Sequence, residues 1–362
     1  MEPHLPLAGV RVIDLTTFLS GPMATHTLGE LGADVIKVEP PDGDPTRAGS
    51  RDGQTPFWLA LHRDRRSVVL DLKRPAGGAA LRDLVAASDV LIENFRPGVT
   101  ARLGITDGDL RPLNPRLVYC SLTGYGTGHA AADQPATDGP IQAFTGAVAL
   151  RGSPIPLTVG DLSGAAHAAT AICAALYARQ QTGRGCHIEL SLAECLLQWL
   201  TVGDRGGTLA PPTTLVLTAA DGARVLVQTP MHMRAKLLAL VGEQDPRWST
   251  VEGQRASLDE FVATMQAAFA RRTAGEWVAA LAAAGIPAAV VRTVEAALGD
   301  PCVATTDVGG ETVVTSPFVV DGARRTATAA PPALGADTER VLRDVAGYDD
   351  ARLAAARAGG AW

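Results

Sequence analysis

The sequence predicts an α/β protein in which a Rossmann-like parallel sheet forms a large domain and a smaller α+β domain follows it. Short β-branched runs alternate with helical stretches through the first half of the chain. These runs are continuously apolar, which is typical of parallel strands that helices cover on both faces. After residue 203 the alternation gives way to a hairpin-like segment and amphipathic helices, which indicates a second unit.

Six strands are expected in the large domain, at residues 10–15, 34–39, 67–72, 89–93, 117–122 and 187–192. Helices are expected at residues 23–31, 79–87 and 161–181. Gly32 and Gly183 are expected to end the first and the last of these helices.

The predicted domain boundaries are 1–203 for the large domain, 204–298 for the small domain and 299–362 for a C-terminal segment that returns to the large domain. In the small domain, Asp221-Gly222 predicts the turn of a hairpin. The other elements expected in the small domain are hairpin strands at 214–217 and 224–229, helices at 234–241, 258–270 and 277–285, and a strand at 288–291. In the C-terminal segment, a helix is expected at 338–344.

Composition excludes several classes of protein. The 362 residues carry a formal net charge of −6, which argues against a general nucleic-acid binder. Five cysteines form an odd set without CxxC spacing, so we expect reduced thiols in a cytoplasmic protein and no metal site. We also expect no signal peptide and no membrane span, because no apolar run reaches the ~20 residues that cross a bilayer.

The opening βαβ pattern invites a dinucleotide-binding interpretation, since Glu39 ends the second strand where a ribose-binding carboxylate would lie. The first turn, however, contains Gly21-Pro22 and not GxGxxG. A pyrophosphate needs several positions without a Cβ atom to approach the backbone. The sequence therefore argues against NAD binding.

Basic side chains concentrate between the second and fourth strands. They are Arg47, Arg51, Arg63, Arg65, Arg66, Lys73, Arg74, Arg96 and Arg102. One interpretation is a solvated face balanced by aspartates. The other is a cradle for a phosphorylated ligand such as coenzyme A at the carboxyl ends of the strands. Asn94 and Phe95, directly after the fourth strand, could supply a polar edge and an aromatic face, although Phe95 is equally compatible with the core.

Asp161 stands after Gly160 at the predicted start of a long helix. Aspartate is a good N-cap there, and the free N–H groups and helix dipole would keep it ionised at neutral pH. An ionised carboxylate on this small-residue turn is also an accessible nucleophile. It could attack a thioester carbonyl, with backbone N–H groups stabilising the oxyanion. Spacing alone does not separate a cap from a nucleophile.

A glycine-spaced segment, residues 123–129, follows the fifth strand and includes His129. It predicts either a flexible loop or a mobile loop over a reactive intermediate.

Several segments occur in an order that closely resembles the family III CoA transferases, the group of formyl-CoA transferase, carnitine CoA-transferase and α-methylacyl-CoA racemase. The matching segments are residues 7–15, 21–22, 31–41, 64–73, 93–98, 103–104, 114–119, 182–185, 284–288 and 332–335. They cover nearly the whole chain.

The resemblance implies two subunits interlocked as a homodimer, with an acyl-CoA and a carboxylic acid as substrates and no metal. Asp161 takes the place of the aspartate that forms an aspartyl anhydride and then an aspartyl–CoA thioester. The positions that match CoA contacts of the family are Asn94, Phe95, Arg102 and Leu103. The candidate phosphate partners are Arg47, Arg65 and Arg96.

Three departures from the family pattern bear on function. The racemases place a histidine before an aspartate where this chain has Thr137-Asp138, and threonine is no general base near pH 7. This favours a CoA transferase over an acyl-CoA racemase or epimerase, and Asp138 either orients substrate or caps a helix. Leu19 stands where formyl-CoA transferase has a glutamine, so a formyl or oxalyl substrate is not expected. The glycine-run lid is reduced to Gly206-Gly207 in a short segment, which leaves a degenerate CoA-binding protein as a further alternative.

Overall fold

The computed structural model describes residues 5–48, 55–202, 214–327 and 329–362. The chain divides into two compact units, Met1–Gly203 with Ala304–Trp362, and Asp204–Val303. Arg51 and Gly206-Gly207, which the sequence analysis singled out, lie outside the described residues.

A six-stranded parallel sheet forms the centre of the first unit. Its strands are β1 (Arg11–Asp14), β2 (Asp34–Glu39), β3 (Arg66–Val69), β4 (Val90–Glu93), β5 (Val118–Thr123) and β6 (His187–Ser191). They lie in the order β3-β2-β1-β4-β5-β6, and every neighbouring pair is parallel. The parallel α/β architecture predicted from the continuous apolar runs is therefore confirmed.

Nine helices accompany these strands in the described part of this segment. They are α1 (Ser20–Glu30), α2 (Pro56–His62), α3 (Pro75–Ala86), α4 (Val99–Leu103), α5 (Asp107–Leu110), α6 (Asp138–Phe144), α7 (Ala147–Arg151), α8 (Val159–Thr182) and α9 (Leu192–Val202). A short 3-10 helix spans Pro45–Arg47. Of these helices, only α1, α3 and α8 are predicted from the sequence, and two of the helices not predicted, α6 and α7, directly precede the Asp161 segment.

Hydrophobic cores lie on both faces of the sheet. Val12 of β1 packs in one cluster with α1, α8 and α9 residues, and Ile13 packs in the other with α3 residues. Successive side chains of a strand point to opposite faces, so both residues are fully buried. This double burial explains why the strands show no polar alternation in the sequence.

α8 is long and apolar enough by composition to cross a membrane, with a mean hydropathy of 1.2 over its most apolar window, although the sequence analysis expected no such segment. The core helix of a water-soluble protein meets the same criterion, and 44% of that window is buried inside this protein. Near its C-terminal end, the buried Arg179 pairs with Asp89 at 2.9 Å.

The second unit contains a three-stranded antiparallel sheet and helices. Its elements are β7 (Thr214–Thr218), β8 (Arg224–Gln228), α10 (Met231–Val241), α11 (Val251–Ala256), α12 (Leu258–Phe269), α13 (Ala274–Ala283), β9 (Ala288–Val290) and α14 (Val294–Leu298). Trp277 stacks on Phe269 in its core, with ring centroids 4.2 Å apart. The hairpin predicted from Asp221-Gly222 is present as β7 and β8.

The C-terminal segment belongs to the first unit. It contains β10 (Thr305–Val308), β11 (Glu311–Val314), β12 (Val319–Val320), β13 (Ala323–Arg324), α15 (Thr338–Asp344) and α16 (Asp350–Ala358). The Ser67 amide donates to the Asp337 carboxylate at 2.9 Å, and the Val69 amide donates to the Thr338 hydroxyl at 3.0 Å. These bonds satisfy backbone groups of β3 that an edge strand would otherwise expose. Of these elements only α15 is predicted from the sequence; the four short strands and α16 are not.

Candidate active site

The strand order reverses between β1 and β4, and open α/β sheets bind ligands in the crevice at this point. A cavity of about 1010 Å³ opens at the carboxyl ends of β1, β2, β3 and β4. Its apolar walls include Leu15, Leu70, Phe95, Val99 and Leu103. Phe95 and Leu103, both predicted as ligand contacts, are thus among its lining residues.

Basic side chains also line this cavity. Arg102, a predicted contact, joins Lys73, Arg74 and Arg82 there. Arg74 lies 3.7 Å from Asp71, whereas Lys73, Arg82 and Arg102 form no ion pair with another described residue. A cavity with apolar walls and unpaired cations suits a ligand with an apolar arm and phosphate groups. Arg82 was not predicted, because α3 is read from the sequence as a helix that covers the sheet.

Arg47 and Arg65, two of the predicted phosphate partners, do not line the cavity. Arg47 makes bonds of 2.7 and 2.8 Å to Glu39 and stacks on Trp58 at 3.8 Å, and it is 9% exposed. Arg65 is equally buried and bonds Asp14 at 2.9 Å. Both guanidinium groups neutralise buried carboxylates, and neither lines the cavity, so the structure does not support their prediction as phosphate partners. Burial lowers the pKa of Arg65 to about 10, which leaves it charged.

Arg96 and Asn94 also differ from their predicted roles. Arg96 is exposed and is not among the residues that line the cavity. Asn94 uses both ends of its side-chain amide on Thr17: its Oδ1 accepts from the Thr17 N–H, and its Nδ2 donates to the Thr17 carbonyl, each at 2.9 Å. Asn94 therefore fixes the turn after β1, and Thr17 itself lines the cavity.

The turn from Thr17 to Ser20 connects the cavity with Asp161. Phe18 in this turn has a φ of 63° and is 59% exposed. A positive φ is uncommon for an aromatic residue, so surrounding contacts must hold this conformation. Ser20 is the first residue of α1, which packs against α8, and a side-chain hydrogen bond from Ser20 acts to lower the pKa of Asp161. Asp161 thus lies beside the same turn that borders the cavity.

Asp161 lies in the first turn of α8, where Thr158 occupies the N-cap position. Of the two interpretations left open for Asp161, the N-cap is therefore not present in the structure. Burial raises the pKa of Asp161 to about 6, the charge of Asp138 adds to this rise, and the bond from Ser20 opposes it. From the sequence, the helix-terminal N–H groups are expected to favour the ionised form. The shift has the opposite direction, although a pKa near 6 still leaves the carboxylate mostly ionised at pH 7.

Asp138 caps α8 from a different helix. Its Oδ1 accepts from the Gly160 N–H at 2.7 Å and from the Asp161 N–H at 3.3 Å. Of the two roles considered for Asp138, helix capping is present in the structure. A Cβ atom on Gly160 would lie 3.0 Å from Asp138 Oδ1 and 3.1 Å from Ile141. Since both amides are already bonded, they are not free to stabilise an oxyanion in this conformation, contrary to the sequence-based expectation.

Two residues near Asp138, Thr137 and Gln142, differ in exposure. Thr137 is the N-cap residue of α6, is exposed, and forms no side-chain cap bond. Gln142, one turn after Asp138, is 1% exposed and donates to Asp138 Oδ2 at 2.6 Å. Gln142 was missed because no helix was predicted here. The i, i+4 spacing of the two residues would have indicated the contact had α6 been recognised.

The glycine-spaced loop lines a smaller cavity of about 230 Å³ at the ends of β5 and β6. His129 Nε2 lies 2.6 Å from the Tyr125 carbonyl, and Tyr125 is buried. The histidine therefore braces the loop internally. Among the described residues, no group of three His, Cys, Asp or Glu side chains could hold a metal ion.

The model of CoA-transferase family III matches residues 7–338. The acetyl-CoA:oxalate CoA-transferase of Acetobacter aceti is 35% identical over 315 residues, which cover 79% of this chain and 80% of the relative. The succinyl-CoA:glutarate CoA-transferase of Mus musculus is 27% identical over 394 residues, covering 96% and 88%.

Two solved structures are also similar to this chain over most of its length. The Mycobacterium tuberculosis protein Rv3272 superposes with a TM-score of 0.81 at 29% identity, covering 93% of this chain and 99% of its own. A CAIB/BAIF family protein from Brucella suis gives a TM-score of 0.82 at 28% identity, covering 94% and 99%. The chain belongs to CoA-transferase family III. It is thus an enzyme that moves coenzyme A between an acyl-CoA and a carboxylate.

Proposed function

We propose that the chain transfers CoA by covalent catalysis on Asp161. The Asp161 carboxylate attacks the thioester carbonyl of the donor acyl-CoA, which forms a mixed anhydride and releases CoA thiolate. The thiolate then attacks the aspartyl carbonyl, which gives an aspartyl–CoA thioester and the donor's free carboxylate. An acceptor carboxylate repeats these steps in reverse and leaves as the new acyl-CoA. Each step exchanges one acyl bond for another, so the chemistry needs no metal.

The position of Asp161 beside the Thr17–Ser20 turn is the observation that carries this proposal. CoA would lie in the cavity with its phosphates near Lys73, Arg82 and Arg102 and its pantetheine arm along the apolar walls. Its thioester would then reach the turn, where Ser20 bonds the carboxylate. The half-buried position of Asp161 weakens its solvation and strengthens its nucleophilicity.

We further propose a cytoplasmic, interlocked homodimer without a metal. The five cysteines, including the buried Cys120 and Cys195, are all free thiols, which suits a reducing compartment. The relatives act, by their names, with oxalate and glutarate as acceptors. Leu19 argues against an oxalyl substrate, so a screen of carboxylic acid acceptors should compare oxalate with succinate and glutarate.

Isotope exchange tests this proposal. Wild-type protein should move label from a free carboxylic acid into its acyl-CoA, and Asp161→Asn should abolish the exchange. Deuterium uptake at the α-carbon of an acyl-CoA, without any acid acceptor, would contradict the proposal and favour a racemase. Tight CoA binding without exchange for any donor and acceptor pair would instead favour a binding protein without turnover.

A further inference from the structure

Gln142 is buried in α6 with its amide fixed in one orientation. Its Nε2 faces three acceptors, namely Asp138 Oδ2 at 2.6 Å and the carbonyls of Leu157 at 3.0 Å and Ile155 at 3.3 Å. Its Oε1 accepts from the Ile155 N–H at 2.8 Å. The reversed amide would set an oxygen against three acceptors, so these contacts allow only the observed orientation. Gln142 thus ties Asp138 to the segment that leads into α8.

The Asp138 carboxylate accepts three hydrogen bonds, from the Gly160 and Asp161 amides and from Gln142. A carboxyl group that only accepts is in its ionised form. From α6, Asp138 therefore presents a negative charge to Asp161, while α1 presents the neutral hydroxyl of Ser20. A like charge nearby disfavours the ionised form of the neighbouring group, and the charge of Asp138 acts on Asp161 in this direction.

We propose that Gln142 is a positioning residue for CoA transfer, which holds the charged Asp138 carboxylate against the first turn of α8 and thereby favours the neutral, covalently modified forms of Asp161. This inference rests on the proposed function of Asp161. A free Asp161 carboxylate is repelled by Asp138, whereas the anhydride and the thioester carry no charge on that side chain. When the anhydride forms, the negative charge passes to the CoA thiolate, and when the thioester forms, it leaves on the donor's free carboxylate. The repulsion is therefore relieved in both modified forms of Asp161.

This role differs from ordinary capping. A cap needs only an acceptor, and asparagine would supply one through its amide oxygen. The proposed role needs the negative charge and its fixed position. Asp138→Asn keeps the shape and the bond to the Gly160 amide but removes the charge, and Gln142→Met keeps the volume but releases Asp138.

The equilibrium between free and modified Asp161 is the quantity to measure. Wild-type protein and the variants Asp138→Asn and Gln142→Met are incubated with succinyl-CoA and succinate at a fixed ratio, or with the donor and acid that give the highest turnover in the screen. After acid quenching, intact-protein mass spectrometry gives the ratio of aspartyl–CoA thioester to free enzyme. Thr145→Val is the matched control, because it removes a buried hydroxyl of the same helix segment that donates to the backbone carbonyls of Ile141 and Gln142 and contacts neither Asp138 nor the Gln142 side chain.

We expect the thioester ratio to fall about three- to tenfold in Asp138→Asn and Gln142→Met, since one pKa unit corresponds to a factor of ten. The acid limb of the acylation rate should move to lower pH in both, and Thr145→Val should match wild type. If Gln142→Met does not fold, Gln142→Asn, which keeps the amide but shortens its reach, takes its place. A wild-type adduct with unchanged ratios in both variants would overturn this inference alone. No wild-type adduct on Asp161 would overturn the proposed function and the inference with it.

Discussion

The side chain of Asn94 and the backbone of Thr17 form a closed pair of hydrogen bonds, each 2.9 Å long, between the end of β4 and the turn after β1. The pair spans the two strands at which the sheet order reverses. It fixes one wall of the cavity and the start of the turn that ends at Ser20 beside Asp161.

Replacing Asn94 should therefore lower the activity more than the stability of the fold. Asn94→Ala removes both bonds and leaves two backbone groups of Thr17 without partners, which costs about 1–3 kcal/mol. We expect kcat/KM for the acyl-CoA to fall, and Asn94→Asp to be intermediate because it keeps only the acceptor. Steady-state kinetics and thermal unfolding check this. A kcat/KM of Asn94→Ala equal to that of wild type would show that CoA transfer does not depend on these two hydrogen bonds to the turn.

The unpaired cations of the cavity should determine affinity for the CoA phosphates. Lys73→Ala and Arg102→Ala should each raise KM for the acyl-CoA about tenfold with little change in kcat, because a charge-assisted bond contributes about 1.5–3 kcal/mol. Arg96→Ala is the matched control, since Arg96 is exposed but is not a lining residue. KM measured at two salt concentrations separates this charge effect from misfolding. A larger effect from Arg96 than from Arg102 would contradict the assigned binding mode.

Arg65 should matter for stability in a way that a ligand contact would not. Arg65→Ala leaves the buried Asp14 without its 2.9 Å partner, and breaking such a pair costs about 3–5 kcal/mol. Arg66→Ala removes a more exposed ion pair with Asp34 and should cost under about 1 kcal/mol. Urea denaturation gives both free energies of unfolding. Equal stability of the two variants would contradict this structural role of Arg65.

Gly160 leaves little room for a side chain. A Cβ atom there would press on Asp138 Oδ1 and on Ile141, so Gly160→Ala must shift one of these neighbours by a few tenths of an ångström. We expect Gly160→Ala to lower both the transfer rate and the thermal midpoint. Gly139→Ala is the control, because its Cβ atom would meet nothing within 4 Å. Wild-type activity in Gly160→Ala would show that the position of Asp138 is not required.

The pH dependence of stability follows from Asp161. Its pKa of about 6 lies above the usual value of 3.8, so the folded state binds its proton more tightly than the unfolded state does. The associated stability is present below pH 3.8 and is lost as the pH rises through about 6. Asp161→Asn should therefore be more stable than wild type at pH 7, by about 1–3 kcal/mol, and equally stable near pH 4. An Asp161→Asn variant that is less stable than wild type at pH 7 would contradict the predicted direction of this effect.

The sequence allowed the sheet to be predicted well because each strand is buried on both faces and so reads as an apolar run. Phe95 could be placed at the cavity because it follows β4 directly, where the chain itself carries it to the carboxyl edge. Leu103 was placed there through the resemblance to the family, and Arg102 through that resemblance and the basic cluster. Arg65 could not be assigned, since its partner Asp14 lies 51 residues away and only the folded sheet brings the two together. Local charge patterns cannot separate a cation that faces solvent from one that neutralises a buried carboxylate.

The environment of Asp161 could not be predicted either, because the residue that defines it is also distant along the chain. Helix-terminal N–H groups are visible in a sequence, and they suggested a stabilised carboxylate. The acceptor that occupies them, Asp138, lies 22 residues before Gly160 and reaches α8 through α6, which was not recognised. One missed helix therefore hid the cap, its support from Gln142 and the direction of the pKa shift.

Trapping the acylated enzyme tests the central claim most directly. The protein is incubated with an acyl-CoA donor and hydroxylamine, digested, and the peptide that contains Asp161 is examined by mass spectrometry. The account predicts a hydroxamate on Asp161 that appears only when the acyl-CoA is present and does not form in Asp161→Asn. A hydroxamate on a different carboxylate, or none during active CoA transfer, would contradict it.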